Sequence, residues 1–236
     1  MDNSLSIFMP FYNDAGTVEY MISAAYHFGG DLTTDLEVIA INDGSTDHTL
    51  EELKRMKDKY PDLIIVEHDE NKGYGGALIA GIKCTTKSWV FYTDGDAQYH
   101  LDELKNLWKV RNGKDIVNGY KLSRSDNKFR QIVGVAYSWL LKQIFKTPIT
   151  DIDCDYRLIK GNLLRTLNLT YTSGAITIEL IKKLQLKNAK FMEISVHHYK
   201  RTYGHSAFFT TPNIFKTFID EYKLLKELKN EHKINE

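Results

Sequence analysis

The chain has 236 residues, 42% hydrophobic and 26% charged, with 4 prolines, which excludes a disordered, fibrous or membrane-spanning protein. Lysine plus arginine and aspartate plus glutamate each total 31, so no global field draws the protein to nucleic acid, and any polyanion it binds must be met locally. Cys84 and Cys154 lack metal or CxxC spacing, no apolar run approaches the roughly 18 residues of a membrane span, and nothing before Ser6 resembles a secretory signal; the expected setting is a reducing cytoplasm.

In chain order, strands are expected at Leu5–Met9, Leu36–Ile41, Leu63–Glu67, Trp89–Tyr92 and Asp115–Gly119. They alternate with helices at Gly16–Phe28, Asp47–Lys59, Tyr74–Cys84 and Leu101–Arg111. Short β-branched and aromatic runs alternating with helical periods predict an α/β fold, a mostly parallel sheet flanked by helices. From Asp126 the pattern changes to a long helical segment, Arg130–Lys146, an irregular stretch, Asp151–Arg157, a helix at Ile176–Leu186 and a strand at Phe191–Val196. With no linker or repeat, residues 1–236 read as one domain, residues 1–125 forming a ligand-binding half and residues 126–236 a half for a second substrate, closed by a C-terminal helix.

Ligands of such sheets sit at the carboxyl ends of the strands. There the sequence places Pro10-Phe11-Tyr12-Asn13-Asp14, Asn42-Asp43-Gly44-Ser45-Thr46-Asp47 and Thr93-Asp94-Gly95-Asp96-Ala97-Gln98. Asp94 and Asp96, one residue apart, suit a divalent cation that prefers oxygen donors, magnesium or manganese, with Gln98 as a further oxygen. Asp43 at its strand tip is placed to accept hydrogen bonds from a base or ribose, whereas Asp47 is equally suited to capping the helix that follows. The glycines of Asn71-Lys72-Gly73-Tyr74-Gly75-Gly76 would let backbone approach a ligand, or simply make a turn.

Met9-Pro10-Phe11-Tyr12-Asn13-Asp14, Ile41 to Asp47, Asn71-Lys72-Gly73 and Asp94-Gly95-Asp96-Ala97-Gln98, in this order, together resemble the family-2 glycosyltransferases of the GT-A fold. The second half narrows the likeness to polyprenyl-phosphate transferases of the dolichyl-phosphate mannose synthase kind, through Asp151-Ile152-Asp153-Cys154-Asp155-Tyr156-Arg157 and Arg201-Thr202-Tyr203-Gly204-His205-Ser206. The resemblance implies an inverting, metal-dependent transfer of a hexose from a UDP- or GDP-sugar to a polyprenyl phosphate, in cell-envelope glycan synthesis, with peripheral contact at the inner face of the membrane. It implies that Pro10, Tyr12, Asp14, Asp43, Lys72, Asp94, Gly95, Lys121 and Arg201 hold the nucleotide sugar, that Asp94, Asp96 and Gln98 hold Mg2+ or Mn2+, and that Asp96, Asp151 and Arg201 are catalytic. Arg130 and Arg157 would meet the acceptor. The departures include Asp14 for the usual glutamate, Gly95 for alanine, and Asp155 for a small residue beside the acceptor.

The alternative acceptor is a sugar hydroxyl, which needs a carboxylate base: Asp151, Asp153 or Asp155, with Glu179 more remote. A non-catalytic sugar-nucleotide binding module would not need the metal carboxylates, and a nucleotidyltransferase would open with a glycine-rich loop where Pro10-Phe11-Tyr12 stands. His197 and His198 point to opposite faces of a strand, which argues against zinc; His100 falls close to the donor. The apolar stripes of Arg130–Lys146 and of Phe215, Phe218, Ile219, Tyr222 and Leu225 are expected to pack on the domain, with lipid contact the lesser reading.

Overall fold

Seven strands form one sheet in a computed structural model that describes residues 3–124, 139–204 and 211–234. The strands are β1 Leu5–Phe11, β2 Leu36–Asn42, β3 Ile64–Glu67, β4 Trp89–Thr93, β5 Ile116–Arg124, β6 Tyr156–Lys160 and β7 Phe191–His198, and their order across the sheet is β3-β2-β1-β4-β6-β5-β7. All pairings are parallel except the two made by β6, which runs against β4 and β5. The helices are α1 Ala15–Gly30, α2 Thr49–Lys59, α3 Tyr74–Cys84, α4 Leu104–Val110 entered through a 3-10 turn at Leu101–Glu103, α5 at residues 139–145, α6 Gly161–Leu164, α7 Ile176–Leu186 and α8 Thr211–Ile234.

The period of two along β1 sorts its side chains onto two cores. Leu5, Ile7, Met9 and Phe11 join Val18, Met21 and Ile22 of α1 and Leu53 of α2, while Phe8 joins Ala77, Leu78 and Ile82 of α3 and Ile181 and Leu184 of α7. Helices therefore cover both faces, which is why the strands read as continuous apolar runs.

The irregular stretch expected at Asp151–Arg157 is corrected at its end, because Tyr156 and Arg157 begin β6, a central strand. Its Arg157, in the middle of the sheet, hid it from a reading that looks for apolar runs. Asp47 does serve the start of α2, its Oδ1 accepting from the Thr49 amide at 3.0 Å, and the helix begins two residues later than expected. Arg130 and most of its proposed helix lie outside the described residues, of which 139–145 are helical. Among the described residues no helix is long and apolar enough to cross a membrane.

The C-terminal stripe is corrected too. Thr217, Asp220, Glu221 and Leu224 face the domain, each less than 9% exposed, while Phe215, Ile219 and Tyr222 point outward at 67%, 41% and 59% exposure. The reason is local: Ser173 Oγ donates to Asp220 Oδ2 at 2.8 Å and Lys216 Nζ to Thr172 Oγ1 at 3.0 Å, so the first half of the helix is docked through polar groups, whereas further along Leu224, Leu225 and Leu228 pack on the core as expected of Leu225.

Candidate active site at the strand ends

Because β1 lies between β2 and β4, the three carboxylate-bearing loops emerge side by side. Asn13, in left-handed backbone at φ 57°, ties the first two. Its Oδ1 accepts from the Thr46 amide at 2.8 Å and the Asp47 amide at 3.3 Å, and its own amide donates to Ser45 Oγ at 3.1 Å. The β1 and β4 loops are joined through Gly95, whose amide donates to Pro10 O at 3.0 Å and whose carbonyl accepts from Thr17 Oγ1 at 2.7 Å. A Cβ on Gly95 would lie 2.3 Å from the Phe11 ring, so glycine here follows from close packing of the two loops.

Arg201 closes the site from far along the chain. Its Nη1 donates to Asp14 Oδ1 at 3.0 Å and its Nη2 donates to Asp96 Oδ2. Gln98 positions that arm: its carbonyl accepts from the Tyr199 amide at 2.8 Å and its Nε2 donates to Tyr199 O at 3.0 Å. Thus Gln98, expected as a metal ligand, is engaged with the segment that carries Arg201. His100 stacks on Tyr199 with ring centroids 4.0 Å apart, so it too supports this arm.

The site is rich in buried negative charge. Burial pushes Asp14 up to about 6 although Arg201 opposes it, and burial with Asp155 and Asp96 close by holds Asp94 well above the carboxylate range. Asp96 and Asp155 are raised by burial in the same way, against the pull of Arg201 on the first and Arg157 on the second. Asp155 Oδ1 is buried, accepts no hydrogen bond and stands 3.5 Å from Arg157 Nη1. An all-oxygen carboxylate cluster with such an orphaned acceptor fits a hard divalent cation. No three His, Cys, Asp or Glu among the described residues are arranged to hold a metal by themselves, so a bound ligand's oxygens would have to complete the coordination.

Asp14 makes the free site sensitive to pH. Its folded value near 6 exceeds the ordinary 3.8, so its ionisation opposes folding: the cost is absent below about pH 4, grows as pH rises, and levels off above pH 6 at about 3 kcal/mol. Carboxyl-resolved NMR should find its midpoint near 6 in the unliganded protein; a midpoint below 4 would contradict this account.

Other expected residues are placed differently. Asp43 is buried and its Oδ1 accepts from His68 Nδ1 at 2.6 Å and the Lys72 amide at 3.0 Å. His68 carried no signal in the sequence, since only the fold brings it to Asp43. Lys72 is exposed. The neighbouring glycines serve chain packing: a Cβ on Gly75 would be 2.2 Å from Tyr171 O, and one on Gly73 2.7 Å from Thr172 O. Tyr12 contributes its amide, which donates to Asp14 Oδ2 at 3.2 Å.

Asp151 is buried, its Oδ2 accepting from the Lys121 amide at 3.1 Å, while Lys121 Nζ donates to Asp153 O at 2.7 Å. Arg157 is fully buried, donating from Nε to Asn118 Oδ1 at 2.7 Å, from Nη1 to the Tyr92 hydroxyl at 2.6 Å and from Nη2 to Ile152 O. Direct contact of Arg157 with an acceptor is therefore corrected to an internal role: it knits β4, β5 and β6 and stands behind Asp155. Glu179 is fully buried and accepts from the Thr170 and Tyr171 amides and Lys183 Nζ, which makes it a clasp for that loop and not a base.

The model of glycosyl transferase family 2 matches residues 6–160. An undecaprenyl-phosphate 4-deoxy-4-formamido-L-arabinose transferase of Yersinia pestis (strain Pestoides F) is 24% identical over 207 residues, covering 86% of this chain, and the chain spans 62% of that relative's length. Among solved structures, glucosyl-3-phosphoglycerate synthase from Mycobacterium tuberculosis with Mn2+ and UDP-glucose superposes with a TM-score of 0.69 at 17% identity, over 93% of this chain and 79% of that one. The mannosyltransferase PcManGT from Pyrobaculum calidifontis with GDP-Man and Mn2+ gives 0.61 at 23%, over 87% and 59%.

Proposed function

Because the chain belongs to glycosyl transferase family 2, we propose that it moves a hexose from a UDP- or GDP-sugar to a polyprenyl phosphate at a membrane surface, with inversion at the anomeric carbon. The observation that carries this reading is the pair of bonds from Arg201 to Asp14 and Asp96 at the ends of β1 and β4. A guanidinium held there by two carboxylates is preorganised for a diphosphate, whose oxygens it can grip in bidentate fashion. Asp94 and Asp96 would hold Mg2+ or Mn2+, which supplies Lewis-acid stabilisation of the departing diphosphate when bound.

Asp43 would face the base or ribose, steered by His68 and the Lys72 amide. An acceptor phosphate monoester, with a second pKa of about 6, is already largely ionised near neutral pH and requires no base. Lys121 and Arg130 would then orient it. The likeness to the Yersinia undecaprenyl-phosphate 4-deoxy-4-formamido-L-arabinose transferase supports this acceptor.

A second reading, transfer to a sugar hydroxyl, is favoured by Asp155, whose orphaned buried oxygen could take a proton. Presenting undecaprenyl phosphate and soluble glycans with UDP- and GDP-sugars, and identifying products by mass spectrometry, separates the two. A glycosyl-phospholipid that still forms with Asp155→Asn is expected; transfer confined to glycan hydroxyls and abolished by Asp155→Asn would overturn the first reading.

A further inference from the structure

Helix α8 is built inside out. Its buried residues are mainly polar, Thr217, Asp220 and Glu221, and its outward residues Phe215, Ile219 and Tyr222 are apolar or aromatic. These recur at three- and four-residue spacing, as do Lys226 and Lys229 further along, so the apolar face runs directly into a basic one. Lys226 Nζ lies 4.6 Å from the centre of the Tyr222 ring, which joins the two parts.

Beside that basic part is a groove of about 620 Å³ between the ends of α5, α7 and α8. Its floor is Ile144, Phe145, Leu186, Leu225 and Leu228, and its cations are Lys146, Lys182, Lys226 and Lys229, with no carboxylate among the lining residues. Burial, with the charge of Lys146 close by, lowers Lys182. In a chain whose formal net charge is zero, this concentration of positive charge is local. Trp139 and Leu140 of α5 add exposed apolar surface, at 63% and 48%.

We propose that the outer face of α8 and the lysine-lined groove beside it form a docking surface for an anionic lipid bilayer, with Phe215, Ile219 and Tyr222 entering the interface and Lys146, Lys182, Lys226 and Lys229 meeting lipid headgroups. Charge complementarity selects this occupant. An apolar, aromatic stripe continued by lysines is the pattern that lies in the plane of an anionic membrane, whereas a second copy of the same face would oppose lysine to lysine. The proposal rests on the reading that the acceptor is met at a membrane surface, and a test on the empty enzyme without donor or acceptor can fail separately from the transfer itself.

The test is sedimentation of the full chain with vesicles of phosphatidylcholine alone, or of phosphatidylcholine mixed with an equal amount of phosphatidylglycerol, without donor or acceptor. Wild type should bind the anionic vesicles and lose binding as salt is raised. Each lysine near the surface is worth on the order of fivefold in partitioning, so Lys226→Gln with Lys229→Gln should weaken binding by more than tenfold. Phe215→Ser with Tyr222→Ser should do so as well. Both positions are exposed, and unchanged circular dichroism and melting would show that the variants fold. Equal binding to both vesicle types, no binding to either, or binding unaffected by these variants would overturn the proposal. So would a dimer in solution that becomes monomeric in Phe215→Ser with Tyr222→Ser while vesicles do not compete with dimerisation, because the face would then be an interface between copies.

Discussion

Asp96→Asn should lower turnover of nucleotide sugar by about 10²–10³-fold while leaving the fold intact. Asp96 is only 4% exposed, holds one arm of Arg201 and accepts from the Gln98 amide at 3.0 Å. Asparagine keeps the shape and removes the charge, so a diphosphate would meet an Arg201 anchored on Asp14 alone. Stability should move the other way or not at all, since Asp94 and Asp14 are both held up partly by the charge of Asp96. A site that gains stability when a functional charge is removed is one in which strain has been kept for activity. Melting curves beside initial rates would check both halves; a variant within tenfold of wild-type turnover would contradict the assignment.

The second large effect belongs to Arg157. Replacing it with leucine should cost about 3–5 kcal/mol, because Asp155 loses its ion-pair partner in a buried place and Asn118, the Tyr92 hydroxyl and Ile152 O lose their donor. For a chain of this size that is a fall in Tm on the order of 10 °C. Lysine should not rescue it, since one ammonium cannot reproduce a planar fork reaching three segments. Urea denaturation of Arg157→Leu and Arg157→Lys measures this. A loss below about 1 kcal/mol, with acceptor KM strongly raised, would return Arg157 to the acceptor site.

What the sequence made legible follows from where its signals come from. Buried parallel strands are short apolar runs, and the loops after β1, β2 and β4 stand out by their carboxylates, so the order of strands, helices and strand-end loops in the first half could be read directly. The remaining features depend on contacts far apart in the chain. Arg201 reaches Asp14 across 187 positions and Asp96 across 105; only a family resemblance pointed to it. Gln98 was expected as an oxygen ligand of a metal, and its Nε2 also donates to Tyr199 O, 101 positions away, a contact no local pattern reveals. Arg157 was expected to meet an acceptor and is a buried strut, because Asn118 and Tyr92 come to it from neighbouring strands. Likewise the spacing of Phe215, Ile219 and Tyr222 revealed a stripe on α8, but not which side of the helix the Ser173–Asp220 bond would turn inward.

The Asp43 region is shaped by its own hydrogen bonds. His68 and the Lys72 amide fix one carboxylate oxygen at 2.6 and 3.0 Å, so the loop after β2 is held in place before any ligand arrives. The loops after β1 and β4 are fixed by Asn13 and Gly95 in the same manner. Such preorganisation reduces the ordering cost of binding.

A nucleotide site at the strand ends that works with a divalent cation can be read by calorimetric titration of the wild-type chain with UDP and with GDP, each with and without Mn2+. The account predicts that one nucleotide binds in the presence of Mn2+ and at least tenfold more weakly without it. Binding of neither nucleotide under any condition, or equal binding with and without Mn2+, would contradict it.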